Sequence, residues 1–212
     1  RDWSWPVFVM DGSDTEEPIP SMPGVVRRTV DRIGASAKDA YALGIPAICI
    51  FPYTSMQHRT QDCALAWSPD NVANRAIRAI KDAVPDMAVM TDIALDPYNI
   101  DGHDGFVENG EIVNDRTVDA LVKMALTQAD CGADILGPSD MMDGRVGAIR
   151  SALESHAHPN VTIPSSTATY ASAFYGPFRD ALRAPAALTG DKKTYQRDPD
   201  KPDDAHRPIT RD

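Results

Sequence analysis

The chain has 212 residues, a formal charge of −10 and a pI of about 4.8. That length allows one large domain or two small ones, and 42 % apolar residues allow a substantial core. The acidity excludes the basic patches that nucleic acid or an anionic membrane surface would need, so neither is expected as a partner. No apolar run reaches the ~18–20 residues of a membrane span. Cys49, Cys63 and Cys131 are scattered and odd in number, without a C-x-x-C. They point to no disulfide framework and no cysteine zinc site, and they fit a reducing, cytoplasmic location. The opening text "RDWSWPVFVMDG" has no signal-peptide pattern and starts without Met, as a fragment would.

In chain order, short apolar runs alternate with longer amphipathic ones. "WPVFVMDG" (5–12) predicts a strand. A helix is expected over 29–44, ending at Gly44. "IPAICIFPYT" (45–54) predicts the second strand, and a helix over 71–85 follows Ser68-Pro69-Asp70 and stops at Pro85. "MAVMTDIALDP" (87–97) is the third strand. A helix over 115–132 opens with an acidic cap and closes on Gly132. "ADILGPSDMM" (133–142) is the fourth strand, a short helix is expected over 144–155, and "VTIPSSTATY" (161–170) is a weaker fifth strand. The alternation predicts parallel strands with right-handed crossovers, and both a doubly wound sheet and a (β/α)8 barrel satisfy it. No glycine fingerprint follows the first strand, so a classical dinucleotide fold is disfavoured. Residues 191–212 carry almost no aliphatic side chains and read as a mobile, solvated tail of a single domain, 1–212.

Polar groups gather where the strands end: Asp11, then Tyr53 and Thr54, then Asp92 and Asp96, then Ser139, Asp140 and Asp143. In a parallel α/β fold that is the ligand face. In "GPSDMMDGR" (137–145), Ser139 could cap the next helix with Asp140 and Asp143 in its positive first turn, which leaves Met141, Met142 and Arg145 without a role. "ASAFYGPFRDA" (171–181) places Tyr175, Phe178 and Arg179 around a Gly-Pro turn, a combination suited to a small carboxylate against an apolar wall.

The motifs "PVFVMDG", "SMPGV", "LGIPAICIFP", "TDIALDPYNIDGHDG", "PSDMMDGRVGAIR", "YASAFYGPFRDA" and "GDKKTYQ" run almost continuously from 5 to 196. Together they resemble the porphobilinogen synthase (5-aminolevulinate dehydratase) family. The resemblance implies a (β/α)8 TIM barrel, of which this chain covers roughly the first five to six βα units, usually assembled as homo-octamers. It implies a lyase that condenses two molecules of 5-aminolevulinate to porphobilinogen in haem and chlorophyll biosynthesis. It also implies that Asp92 and Ser139 line the pocket and assist proton transfer. Arg179, Lys192 and Gln196 would hold a substrate carboxylate, and Tyr175 and Phe178 would wall the site. His103 is left as a proton carrier or a loop hydrogen-bonding group.

Two departures stand out. Zinc-dependent members carry D-x-C-x-C-P-Y…G-H-C-G, whereas the corresponding positions here are Ala94, Asp96 and Asp104. The pattern is that of the aspartate-rich branch: hard oxygen donors favour Mg2+ or no tightly held metal over zinc, and no residue is assigned as a metal ligand. The family also forms Schiff bases through two lysines, one in S-A-K-Y-A-S. Here the text is "TATYAS" (167–172), with Thr169 at the lysine position, and the second lysine is expected beyond residue 212. A non-catalytic or truncated homologue therefore stays open, as does a metal-dependent lyase or hydrolase built on Asp92, Asp96 and His103.

Overall fold

A computed structural model describes residues 3–166 and 169–182. Strand β1 (Ser4–Met10) is followed by a hairpin, β2 (Glu16–Pro18) and β3 (Val26–Thr29), and by helix α1 (Val30–Ala42). Next come β4 (Ala47–Tyr53), α2 (Val72–Ala83) and β5 (Ala88–Ile93). A two-stranded excursion, β6 (Val107–Glu108) and β7 (Glu111–Ile112), precedes α3 (Asn114–Asp130). Then β8 (Ile135–Pro138), α4 (Arg145–Ser155) and a short α5 (Gly176–Ala181) complete the described elements.

The main sheet has the order β2-β3-β1-β4-β5-β8, parallel throughout except for the β2–β3 pair. From β1 through β4 and β5 to β8, each strand pairs with the next one across its helix. That monotonic order is the barrel pattern; a doubly wound sheet reverses direction at a switch point. Within the expected fifth strand, Thr162 forms a bridge to Ile135, in which Thr162 N–H donates to Asp134 and Leu136 N–H donates to Thr162, both at 2.9 Å. Pro164, which has no N–H to donate, stands two residues on.

Side-chain alternation explains both faces of this sheet. Val7 and Val9, Ile48 and Ile50, Val89 and Ile93, and Leu136 point to the helices and join the main core with Ile33, Ile77, Ile80, Leu121 and Met124. The intervening residues point the other way. Phe8 lies in register with Phe51, and with Ile19, Ala181 and Leu182 they form a second, smaller apolar cluster.

The β2–β3 hairpin was not expected from apolar periodicity. It is held by charge: Glu16 pairs with Arg28 at 3.0 Å and Glu17 with Arg27 at 3.2 Å, in register across the two strands. Helix ends follow local chemistry. Gly44, at φ +83°, takes the left-handed conformation just past α1. At the start of α2, Asn71 accepts from Asn74 N–H at 2.8 Å and donates to the carbonyls of Leu65 and Ala66 at 2.9 and 3.0 Å. Helix α4 begins after Gly144, so Ser139 is not its cap and Asp140 and Asp143 precede its first turn. The Gly176-Pro177 pair opens α5; it does not form a bare turn, since proline is well suited to a first helical turn. The segment 191–212 lies outside the described residues.

Because Asn71 is buried and satisfies three backbone groups, Asn71→Ala should lower the unfolding free energy by about 2–3 kcal/mol. Urea unfolding followed by circular dichroism measures this, and an unchanged midpoint would contradict the capping role.

Candidate functional site

The face of the sheet turned away from the helices is the floor of a cavity of about 460 Å³. Its floor residues follow the two-residue repeat: Cys49 and Phe51 from β4, Met90 and Asp92 from β5, Gly137 from β8 and Ser139 just beyond it. Met141, Ser166 and Thr169 form one side, and Phe174, Tyr175, Phe178, Arg179 and Leu182 form another. Asp92, Ser139, Thr169, Tyr175, Phe178 and Arg179, all singled out in the sequence, thus surround one space. Lys192 and Gln196 lie outside the described residues.

Register creates the polar centre. Asp92 is paired with Gly137, so Ser139, two residues on, presents its side chain to the same side. The Ser139 hydroxyl donates to Asp92 Oδ1 at 2.6 Å. Gly137 leaves room for Met90: a Cβ there would meet the Met90 Cε at 2.9 Å and oblige that methyl to shift. The Asp92 carboxyl is pushed up to about 7, first by burial and then by the charge of Asp96, with Asp104 and Asp140 adding to the rise. The Ser139 hydrogen bond opposes it. A carboxyl so placed gains and loses a proton near neutral pH, the range in which a general acid or base is most effective.

The loops above this floor are built around buried charge. Asp140 and Arg145 form an ion pair of 3.1 Å, the former 0 % and the latter 1 % exposed. Burial raises the Asp140 carboxyl to about 7, while Arg145 and the Met142 N–H draw it down. Arg145 also donates to the carbonyls of Met142 and Ser166, at 2.9 and 3.0 Å, tying the β8 loop to the next segment. Met141 lines the cavity, and its sulfur accepts from Thr169 N–H at 3.3 Å. The motif "PSDMMDGR" is therefore accounted for by the hydroxyl to Asp92, a buried ion pair and a cavity-lining thioether.

An aromatic wall closes the far side. The Phe178 ring meets Phe51 edge-on at 5.0 Å and Phe8 at 6.0 Å. The Arg179 guanidinium lies 5.9 Å from the centre of the Tyr175 ring. An arginine at an aromatic rim above an apolar floor presents a planar fork to a carboxylate entering the cavity.

Other expected residues have different places. Asp11 pairs with Arg75 on α2, and Asp143 is tied through its backbone to Asn114. Tyr53 lies beneath the Arg27 guanidinium, 5.4 Å away. His103 is buried in its loop and does not line the cavity; its carbonyl accepts from Asn99 at 3.2 Å. Sequence reading passed over Cys49, Phe51 and Met90 as lining residues, although the strand's two-residue alternation was a signal for them. Burial and the nearby Asp92 push the Cys49 thiol up to about 12, so it is a neutral wall residue at physiological pH.

A zinc–thiolate centre does not fit these residues. Ala94 has no donor, Cys63 is packed in the main core, and Asp96 and Asp104 line the cavity with carboxylates. Among the described residues, no three His, Cys, Asp or Glu side chains are grouped to hold a metal ion. Asp92 and Asp96 line the cavity and His103 does not.

A profile of the family described as delta-aminolevulinic acid dehydratase matches residues 1–212. The delta-aminolevulinic acid dehydratase of Rhodobacter capsulatus is 55 % identical over 212 residues, which span all of this chain and 64 % of that protein. The Bradyrhizobium diazoefficiens protein of the same name is 48 % identical over 211 residues, 60 % of its length. The crystal structure of delta-aminolevulinic acid dehydratase (porphobilinogen synthase) from Toxoplasma gondii ME49, in complex with the reaction product porphobilinogen, superposes with a TM-score of 0.92 at 44 % identity. That match covers 98 % of this chain and 59 % of the Toxoplasma chain, so the parallel β/α sheet described above is part of a TIM barrel. Matched over its whole length by the family profile, the chain belongs to the delta-aminolevulinic acid dehydratase family.

Proposed function

We propose that this chain forms the substrate-binding part of a porphobilinogen synthase, a hydro-lyase that condenses two 5-aminolevulinate molecules to porphobilinogen in tetrapyrrole biosynthesis. The observation that carries the reading is a cavity lined together by the Asp92–Ser139 pair, by Arg179 and by the rings of Phe51, Tyr175 and Phe178. Arg179 takes the substrate carboxylate, with Lys192 and Gln196 as its partners. Phe51, Tyr175 and Phe178 exclude water around the ketone. Asp92, its carboxyl balanced near neutrality, moves protons between substrate and Ser139. The family is metal-dependent; the carboxylates of Asp96 and Asp104 support Mg2+ over zinc here. A cytoplasmic homo-octamer is the expected setting. No described helix is long and apolar enough to cross a membrane.

A second reading rests on Thr169. It lines the cavity where the family resemblance places an imine-forming lysine, and no lysine lines the cavity among the described residues. A hydroxyl cannot form the protonated imine that makes a ketone an electron sink. The alternative is a homologue that binds 5-aminolevulinate without condensing it. Borohydride reduction in the presence of 5-aminolevulinate, with mass spectrometry of the protein's peptides and a parallel assay for porphobilinogen, separates the two. Product together with a lysine adduct supports the synthase, and binding with neither supports the non-catalytic homologue.

Arg179→Ala should weaken 5-aminolevulinate binding by about 1.5–3 kcal/mol, and Arg179→Lys should restore only part of it because the fork is lost. Calorimetric affinity equal to wild type in Arg179→Ala would remove this arginine from the site.

Asp92 makes a prediction on pH. Its folded-state value, about 7, lies above the ordinary 3.8, so the folded protein holds this proton more tightly than the unfolded chain. Stability from this group is present at low pH and lost as pH rises from the unfolded value through the folded one. Asp92→Asn should match wild type near pH ~4 and exceed it at pH ~8 by on the order of 2–4 kcal/mol. Urea unfolding at the two pH values tests this, and a gap independent of pH would contradict it.

A further inference from the structure

Helix α5 has only six residues, too few to hold its shape or place without tertiary contacts. It nonetheless carries Phe178 and Arg179 to the cavity. Its carbonyl end is met by two buried guanidiniums from distant parts of the chain. Arg27, on β3 and 2 % exposed, donates through Nη1 to the carbonyls of Ala181 at 2.6 Å and Asp180 at 3.3 Å. Arg59, in the β4–α2 connection and 4 % exposed, donates through Nη2 to the Leu182 carbonyl at 3.2 Å. The other two nitrogens of Arg59 reach the carbonyls of Thr54 at 3.0 Å and Asp96 at 3.1 Å.

These contacts have an evident physical cause. A helix end leaves carbonyls without intrahelical partners and carries partial negative charge, so cations are favourable there. The planar fork of arginine can serve three carbonyls from three directions, whereas a point-charge ammonium cannot do so in one fixed geometry. Arg59 links the loop after β4, the loop after β5 and the end of α5. It lowers the freedom of the helix relative to the acid-bearing loop that leaves Asp92.

We propose that Arg59, assisted by Arg27, is a positioning residue for substrate binding: it locks the carbonyl end of α5 to the strand-end loops and so fixes Arg179 over the Asp92–Ser139 floor. Arg59 lines no part of the cavity among the described residues, so it acts through α5 and touches no substrate. The proposal rests on the reading that 5-aminolevulinate occupies this cavity.

The test uses the full protein that carries this chain, with Arg59→Gln as the first variant. Glutamine keeps a donor but is too short to span three carbonyls. We expect the dissociation constant for 5-aminolevulinate, measured by calorimetry, to rise about tenfold, because a misplaced arginine loses most of its charged contact. Hydrogen exchange of the 173–182 peptide should quicken by a similar factor, while peptides of α1 to α4 exchange as in wild type. Arg59→Lys, which keeps the charge, should recover part of the affinity and part of the protection. If Arg59→Gln does not fold, Arg59→Lys decides alone: wild-type affinity together with wild-type exchange in α5 overturns the proposal. So does faster exchange in α5 with unchanged affinity, since the clamp would then have no bearing on binding. Wild-type protein that fails to bind 5-aminolevulinate overturns the functional reading itself, and the positioning role with it.

Discussion

The hydrogen bond from Ser139 to Asp92 joins the ends of two neighbouring parallel strands. It exists because β5 and β8 are aligned with Asp92 opposite Gly137. A shift of one residue would turn Asp92 to the helices and bring Ile93 to the cavity. That alignment is enforced from the other face, where Val89, Ile93 and Leu136 are fully buried against the helices. The core thus determines the site without contributing an atom to it. Gly137 adds no side chain to the floor beside the acid and leaves the Met90 methyl its place.

Two ways of burying an acid are placed side by side. Asp140 is wholly enclosed and has Arg145 as a partner, so its charge serves to hold the β8 loop. Asp92 is less enclosed; it accepts from the neutral Ser139 hydroxyl and has Asp96, Asp104 and Asp140 as like-charged neighbours. The first arrangement stabilises a conformation. Burial raises both carboxyls to about 7, so the difference between them is geometric: Asp140 is held in an ion pair with Arg145, whereas Asp92 opens onto the cavity.

The strands and helices could be read from the sequence because each is a local pattern. β1, β4, β5, β8 and α1 to α4 fall within a few residues of their expected places. The cavity members at strand ends followed from the parallel order. Other parts were not legible because the contacts behind them are long-range. The β2–β3 hairpin has little apolar alternation and is held by the Glu16–Arg28 and Glu17–Arg27 pairs, whose signal was complementary charge. α5 looked like a Gly-Pro turn because six residues hold no complete amphipathic repeat. Its anchors, Arg27 and Arg59, lie 154 and 123 residues before the carbonyls that they reach at Ala181 and Leu182. A surface arginine and a clamping arginine look alike in one dimension.

Thr169 brings binding and chemistry apart. In the proposed function, recognition of a small keto acid uses a cation for its carboxylate, an apolar wall and an acid near neutrality, the roles proposed for Arg179, Phe178 and Asp92, which line one space. None of these depends on an amine. Condensation needs one, because the ketone carbon must be made electrophilic before a carbon–carbon or carbon–nitrogen bond can form. Thr169 sits against Met141, its backbone N–H on the thioether sulfur, so the position is held at the cavity edge with a side chain too short and too weakly nucleophilic for an imine. Under the proposed function, the order of α5 would bear on whether a substrate is held, and the identity of residue 169 on whether it is activated at that point in the cavity.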